Sequence, residues 1–148
     1  MNLIAVGLNH LSAPVEVRER FAVPAAKIPE HLRQLTGSPP LEEAVIVSTC
    51  NRVEIYALSA EAEAGAERIF CCLQQLHPQF PLDRSFFYHH EGEHAVQHLF
   101  EVASGLNSMV LGETEVTGQV KDAYKLSSET GCTGAALRPG SRLGWWRW

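Results

Sequence analysis

Ala44-Val45-Ile46-Val47-Ser48-Thr49-Cys50-Asn51-Arg52-Val53-Glu54-Ile55-Tyr56 is the stretch that decides the fold. Ala44 to Val47 is a short, wholly apolar run and reads as a buried strand. Polar residues Ser48 to Arg52 interrupt it, and Val53, Ile55 and Tyr56 resume it as a partly alternating strand. Upstream, Ser38-Pro39-Pro40 is a turn. Before the turn, Ile28, Leu32 and Leu35 trace one helix, which Pro24 opens at its first position and Gly37 stops. Val15 to Phe21 carries a short helical spacing, and Leu3 to Leu8, ended by Asn9-His10, is another buried strand. Downstream, Ala62, Ala66, Ile69, Phe70, Leu73 and Leu76 share one face of a helix from Glu61 to Leu76. Phe86-Phe87-Tyr88 follows as a fourth, short strand. The order β-α-β-β-α-β predicts an α+β, ferredoxin-like sandwich, an antiparallel sheet with two helices on one face. Two further helices follow, one through Ala95, Leu99, Val102 and Leu106, the other from Thr114 to Glu129 with Gly131 as its stop.

The chain has 148 residues, enough for one domain with a real core. Its 45% hydrophobic and 20% charged residues exclude disordered and collagen-like classes. No apolar run reaches the roughly 20 residues of a membrane span, and the N-terminus lacks a signal peptide's basic start, so a cytoplasmic setting without a membrane partner is expected. Twelve basic against 17 acidic residues give a net charge of −5, which excludes non-specific coating of nucleic acid. An RNA partner would have to be held at a few local positions. The expected domain runs from residue 1 to 137. Residues 138–148 form a divergent tail with three arginines, three tryptophans and no acid.

Among the four cysteines, Cys50, Cys71, Cys72 and Cys132, no pair has the spacing of a zinc or redox site, and no metal is expected. Cys50 stands just past a strand end and beside Arg52, whose guanidinium would favour the nucleophilic thiolate. A small buried hydrophobe is the competing reading. His98 falls on the border of its helix's apolar stripe, where it could serve as acid or base or simply be satisfied by a hydrogen bond. The Ser104–Gln119 segment, with Asn107, Ser108, Glu113, Glu115 and Gln119, suits recognition of a small zwitterionic group, or is an interhelical link with Thr114 as N-cap. No glycine-rich fingerprint follows a predicted strand, so no dinucleotide site is visible.

Together, Gly7-Leu-Asn-His, Ala13-Pro-Val, Arg18-Glu19, Ser48-Thr-Cys-Asn-Arg-Val-Glu54, the run His98 to Glu113, and Gly118-Gln-Val-Lys-Asp-Ala-Tyr124 resemble the N-terminal catalytic domain of glutamyl-tRNA reductase. The resemblance ends at Leu137. It implies an oxidoreductase that reduces glutamyl-tRNA to glutamate-1-semialdehyde with NADPH, in tetrapyrrole (porphyrin and heme) biosynthesis. Cys50 would be the nucleophile that forms a thioester, and His98 a histidine needed for activity. Thr49, Asn51, Arg52, Ser108, Glu113, Thr114, Glu115 and Gln119 would bind the substrate. Asn107 and Glu113-Thr114-Glu115 stand where the family pattern has aspartate and Glu-Pro-Gln. The family's NADPH domain has no counterpart in the sequence, so implied partners are glutamyl-tRNA and either a chain supplying that domain or the next enzyme of the pathway. A binding or regulatory module with the same fold is the alternative.

Overall fold

The deciding stretch folds as a hairpin: β2 (Leu41–Ser48) pairs antiparallel with β3 (Arg52–Ser59), closing at Ser48 opposite Val53. The computed structural model describes residues 1–137, so the expected tail at 138–148 lies outside the described residues. β3 also pairs antiparallel with β1 (Asn2–Asn9), and β1 with β4 (Tyr88–Glu91), giving the order β2-β3-β1-β4. This is the expected ferredoxin-like sheet. The remaining elements are α1 (Val15–Phe21), α2 (Ile28–Thr36), α3 (Ala62–Leu76), α4 (Glu93–Ala103) and α5 (Glu115–Thr130).

The apolar runs of β1, β2 and β3 are continuous because both faces of the sheet are covered. Side chains alternate between the faces. Ile4, Val6, Leu8, Ile46, Val53 and Ile55 pack with Phe21 of α1, Leu32 and Leu35 of α2, and Ile69 and Leu73 of α3. Leu3, Ala5, Val45, Val47, Tyr56 and Leu58 pack instead with Ala95, Leu99 and Val102 of α4 and Val116 and Val120 of α5. The two additional helices therefore form a third layer. Arg52 and Glu54 share the face of Tyr56, so β3 aims two charged side chains into that second core. Burying charge costs several kcal/mol per ion unless it is paired, so their partners decide whether the core is stable.

Several local expectations shift. The fourth strand is Tyr88–Glu91 rather than Phe86–Tyr88. Asp83 accepts a hydrogen bond from the Ser85 amide and starts a 3-10 turn at Arg84–Phe86. Phe86 and Phe87 both pack against the α2/α3 core, Phe87 edge-on to Phe21 and Phe70, so they cannot alternate as strand residues do. Pro24 precedes a 3-10 turn, Ala25–Lys27, and the α-helix begins only at Ile28. Leu106 falls beyond α4 and is exposed. Cys132, just past α5, is buried with its sulfur 3.4 Å from Thr36 Oγ1. Gly131 ends α5 in the left-handed conformation, as expected.

Candidate active site

Cys50 occupies the tip of the β2–β3 hairpin. Thr49 holds that tip in shape: its Oγ1 accepts from the amides of Asn51 at 3.1 Å and Arg52 at 3.2 Å, and its own amide donates to the Arg52 carbonyl. Arg18 of α1 donates from Nη1 to the Cys50 carbonyl at 3.2 Å. The backbone is thus fixed while the Cys50 side chain stays exposed, which removes the buried-hydrophobe reading for this cysteine. Cys71 is also exposed, whereas Cys72 and Cys132 are buried, and burial pushes the Cys72 thiol up.

The second wall comes from the loop between α4 and α5. Gly105 has φ +78°, and a Cβ there would lie 2.5 Å from the Glu113 carbonyl oxygen, so only glycine lets the loop close on itself. The Gly112 amide completes the closure by donating to the Gly105 carbonyl at 3.1 Å. Closure brings Ser108 and Glu113 to the hairpin. A cavity of about 50 Å³ is lined by Thr49, Cys50, Asn51, Arg52, Ser108, Glu113, Glu115, Val116 and Gln119. Ser108 Oγ is buried without a hydrogen-bond partner, a donor and acceptor left free at the cavity. All the predicted substrate residues meet here except Thr114, which caps α5 by position without a side-chain bond and is not part of the lining.

His98 lies elsewhere. It is buried, not at the solvent border, and it does not line the Cys50 cavity. It borders a neighbouring cavity of about 410 Å³ with Tyr88, His90, His94 and Asn107. Its Nε2 donates to Glu54 Oε1 at 2.8 Å. The same oxygen accepts from Arg52 Nη1 at 3.1 Å and from the Tyr88 hydroxyl, and Oε2 accepts from Tyr56 at 2.6 Å. Burial pushes the Glu54 carboxyl up, but the His98 hydrogen bond, the Arg52 charge and the other donors outweigh it and hold it at about 2. Burial and the Glu54 charge push both tyrosine hydroxyls far up, so they remain donors.

The Arg52 guanidinium is therefore engaged. Its second nitrogen, Nη2, donates to the Asn107 carbonyl, and Asn107 Oδ1 also accepts from Asn9 Nδ2 at 3.4 Å. Sequence reasoning placed Arg52 beside the thiol and missed Glu54, Tyr56 and Tyr88. An acid between Val53 and Ile55 in an apolar strand was the available signal. Burial, then the Arg52 and Arg18 charges, push His10 below its ordinary value.

NADPH, which the resemblance implies, needs a strand entering a glycine-rich turn at a helix N-terminus. Among the described residues the strands are antiparallel, and the strand-to-helix turn that carries a glycine, β4–Gly92–α4, is flanked by Glu91 and Glu93, which repel phosphate. These residues do not fit the dinucleotide. No group of three or more His, Cys, Asp or Glu among them is placed to hold a metal ion. No helix among them is long and apolar enough to cross a membrane.

Fold and site together define an α+β domain that presents one exposed cysteine over a small polar cavity. Residues 6–140 match the family described as "Glutamyl-tRNAGlu reductase, N-terminal domain". The chain is 47% identical over 136 residues to a glutamyl-tRNA reductase of Akkermansia muciniphila, covering 91% of this chain and 40% of that protein. It is 44% identical to glutamyl-tRNA reductase 2 of Koribacter versatilis, covering 93% of this chain and 31% of that one. The solved glutamyl-tRNA reductase from Methanopyrus kandleri superposes with a TM-score of 0.71 at 36% identity, over 91% of this chain and 30% of its own. The chain belongs to the glutamyl-tRNA reductase N-terminal domain family, and it spans 40% or less of the length of these relatives.

Proposed function

We propose that this chain carries the acyl-capture half of glutamyl-tRNA reduction, at the entry to tetrapyrrole synthesis. The observation that supports this best is the cavity joining Thr49, Cys50, Asn51 and Arg52 to Ser108, Glu113, Glu115 and Gln119. A glutamyl ester is a zwitterion with an electrophilic carbonyl. Glu113 and Glu115 suit its ammonium group, Arg52 its side-chain carboxylate, and Ser108 Oγ a further hydrogen bond. The Cys50 thiolate attacks the ester carbonyl carbon and forms the C–S bond. The C–O bond to the terminal ribose breaks, and the ribose oxygen takes up the proton that the thiol gave. The product is a glutamyl thioester on Cys50. Asn51 lines the cavity, and Thr114 acts only through the start of α5.

Reduction of that thioester requires a hydride donor that these residues do not hold. A site for it would come from the part of the relatives this chain does not span, or from a second chain. Without it, water cleaves the C–S bond, releasing glutamate and restoring the thiol. The setting proposed is the cytoplasm, with glutamyl-tRNA as the partner.

A non-catalytic binding or regulatory module is the second reading, and the poor fit to a dinucleotide favours it. Acid quenching of the chain with glutamyl-tRNA, followed by peptide mapping, separates the two. The acyl-capture reading expects a hydroxylamine-labile glutamyl adduct on the Cys50 peptide. An adduct confined to Cys71, or glutamyl-tRNA bound with no adduct at all, would contradict it.

A further inference from the structure

Two observations stand apart in the site. His98 is one helix away from Cys50 and does not line its cavity, yet Arg52, which does, is joined to His98 through a single buried carboxylate. Glu54 is 0% exposed and receives hydrogen bonds from Arg52, His98, Tyr56 and Tyr88. Arg52 in turn donates to the carbonyl of Asn107, the residue before Ser108.

We propose that Glu54 is the positioning residue of this site, and that His98 acts through it rather than as a proton donor to the reacting ester. The chain of contacts runs from α4 to the cavity: His98 fixes Glu54, Glu54 fixes the plane of the Arg52 guanidinium, and Arg52 holds the Asn107–Ser108 backbone against the hairpin tip. Both cavity walls thereby depend on one carboxylate. A carboxylate with four donors has little freedom to rotate, and a guanidinium held at both terminal nitrogens has little more. Loss of any link would loosen Arg52 and Ser108 together, while the Cys50 thiol would keep its place, since Thr49 and Arg18 hold that backbone independently.

The inference rests on the acyl-capture reading for its kinetic consequence, but not for its structural one. Two variants of His98 separate the possibilities. In His98→Gln the side-chain amide can still donate to Glu54 Oε1 but cannot shuttle a proton, whereas His98→Ala removes the donor. With glutamyl-tRNA as substrate and released glutamate as the readout, His98→Ala should raise KM about tenfold, the scale of one misaligned charge-assisted hydrogen bond, with kcat within about threefold of the parent. His98→Gln should restore KM to within about threefold. Glu54→Gln should resemble His98→Ala, and the double variant Glu54→Gln/His98→Ala should be no worse than Glu54→Gln alone. A kcat loss in His98→Gln as deep as in His98→Ala would overturn the proposal and make His98 an acid or base. The guanidinium signal of Arg52 in isotope-edited NMR of the same proteins gives a reading that needs no turnover. It should broaden or shift in His98→Ala and return in His98→Gln, and an unaltered signal in His98→Ala would also overturn the proposal. If the parent chain releases no glutamate, the acyl-capture reading falls while the NMR comparison still decides the coupling. Should Glu54→Gln fail to fold, the His98 pair carries the test unaided.

Discussion

Cys50 is exposed because Thr49 spends its hydroxyl on the Asn51 and Arg52 amides and Arg18 takes the Cys50 carbonyl. With Cys72 and Cys132 buried, limited alkylation at neutral pH followed by peptide mapping should label Cys50 and Cys71 well before the other two. Early labelling of Cys132 would mean that the terminal packing against α2 is absent in solution. The strand-end position of Cys50 could be read from sequence, because it follows from the local run of apolar and polar residues. The setting of Glu54 could not. Its donors are at positions 52, 56, 88 and 98, and only the fold brings β4 and α4 to β3. That setting has a pH consequence. The Glu54 carboxyl lies below its ordinary 4.5, at about 2, in the folded protein. A depressed carboxylate stabilises the fold above its unfolded value and loses that contribution as pH falls through the folded one. Thermal melts should therefore show the parent losing on the order of 2–3 kcal/mol more than Glu54→Gln between pH 4.5 and 2. Parallel pH profiles for the two proteins would show that Glu54 is not held as described.

The elements were legible where periodicity is local and failed where tertiary packing decides. Strands β1, β2 and β3 stand out in the sequence as short apolar-rich runs, and helices α2 and α3 by the regular period of one buried face. β4 moved because Phe86 and Phe87 serve the core from an irregular segment, which a run of aromatics cannot reveal. Two glycines carry element-level predictions. Gly7 of β1 sits opposite Glu54 in the strand register, and a Cβ there would meet the Val53 carbonyl at 2.6 Å and Glu54 Cγ at 2.8 Å. Gly7→Ala should cost about 1–3 kcal/mol in denaturant unfolding, since backbone and a buried side chain must both shift. Gly105→Ala combines a left-handed φ with a clash against the Glu113 carbonyl. It should open the loop that carries Ser108 and reduce glutamate release at least as much as it reduces stability. A Gly105→Ala protein with full activity would detach that loop from the site.

At the scale of the molecule, α4 and α5 convert a two-layer sandwich into three layers, and the charged contents of the second core are what join the hairpin to them. The sequence showed these helices but not which face they cover, because their apolar stripes fit either side of the sheet equally well. The described residues do not fit a dinucleotide, so on the acyl-capture reading they should capture the acyl group without reducing it. The direct test follows released glutamate and NADPH oxidation on one sample of purified chain supplied with glutamyl-tRNA and NADPH. Glutamate should be released without NADPH oxidation, and Cys50→Ser should release none, since its hydroxyl is far less ionised than a thiol near neutral pH. Steady NADPH oxidation, or release that survives Cys50→Ser, would contradict acyl capture at Cys50 without reduction.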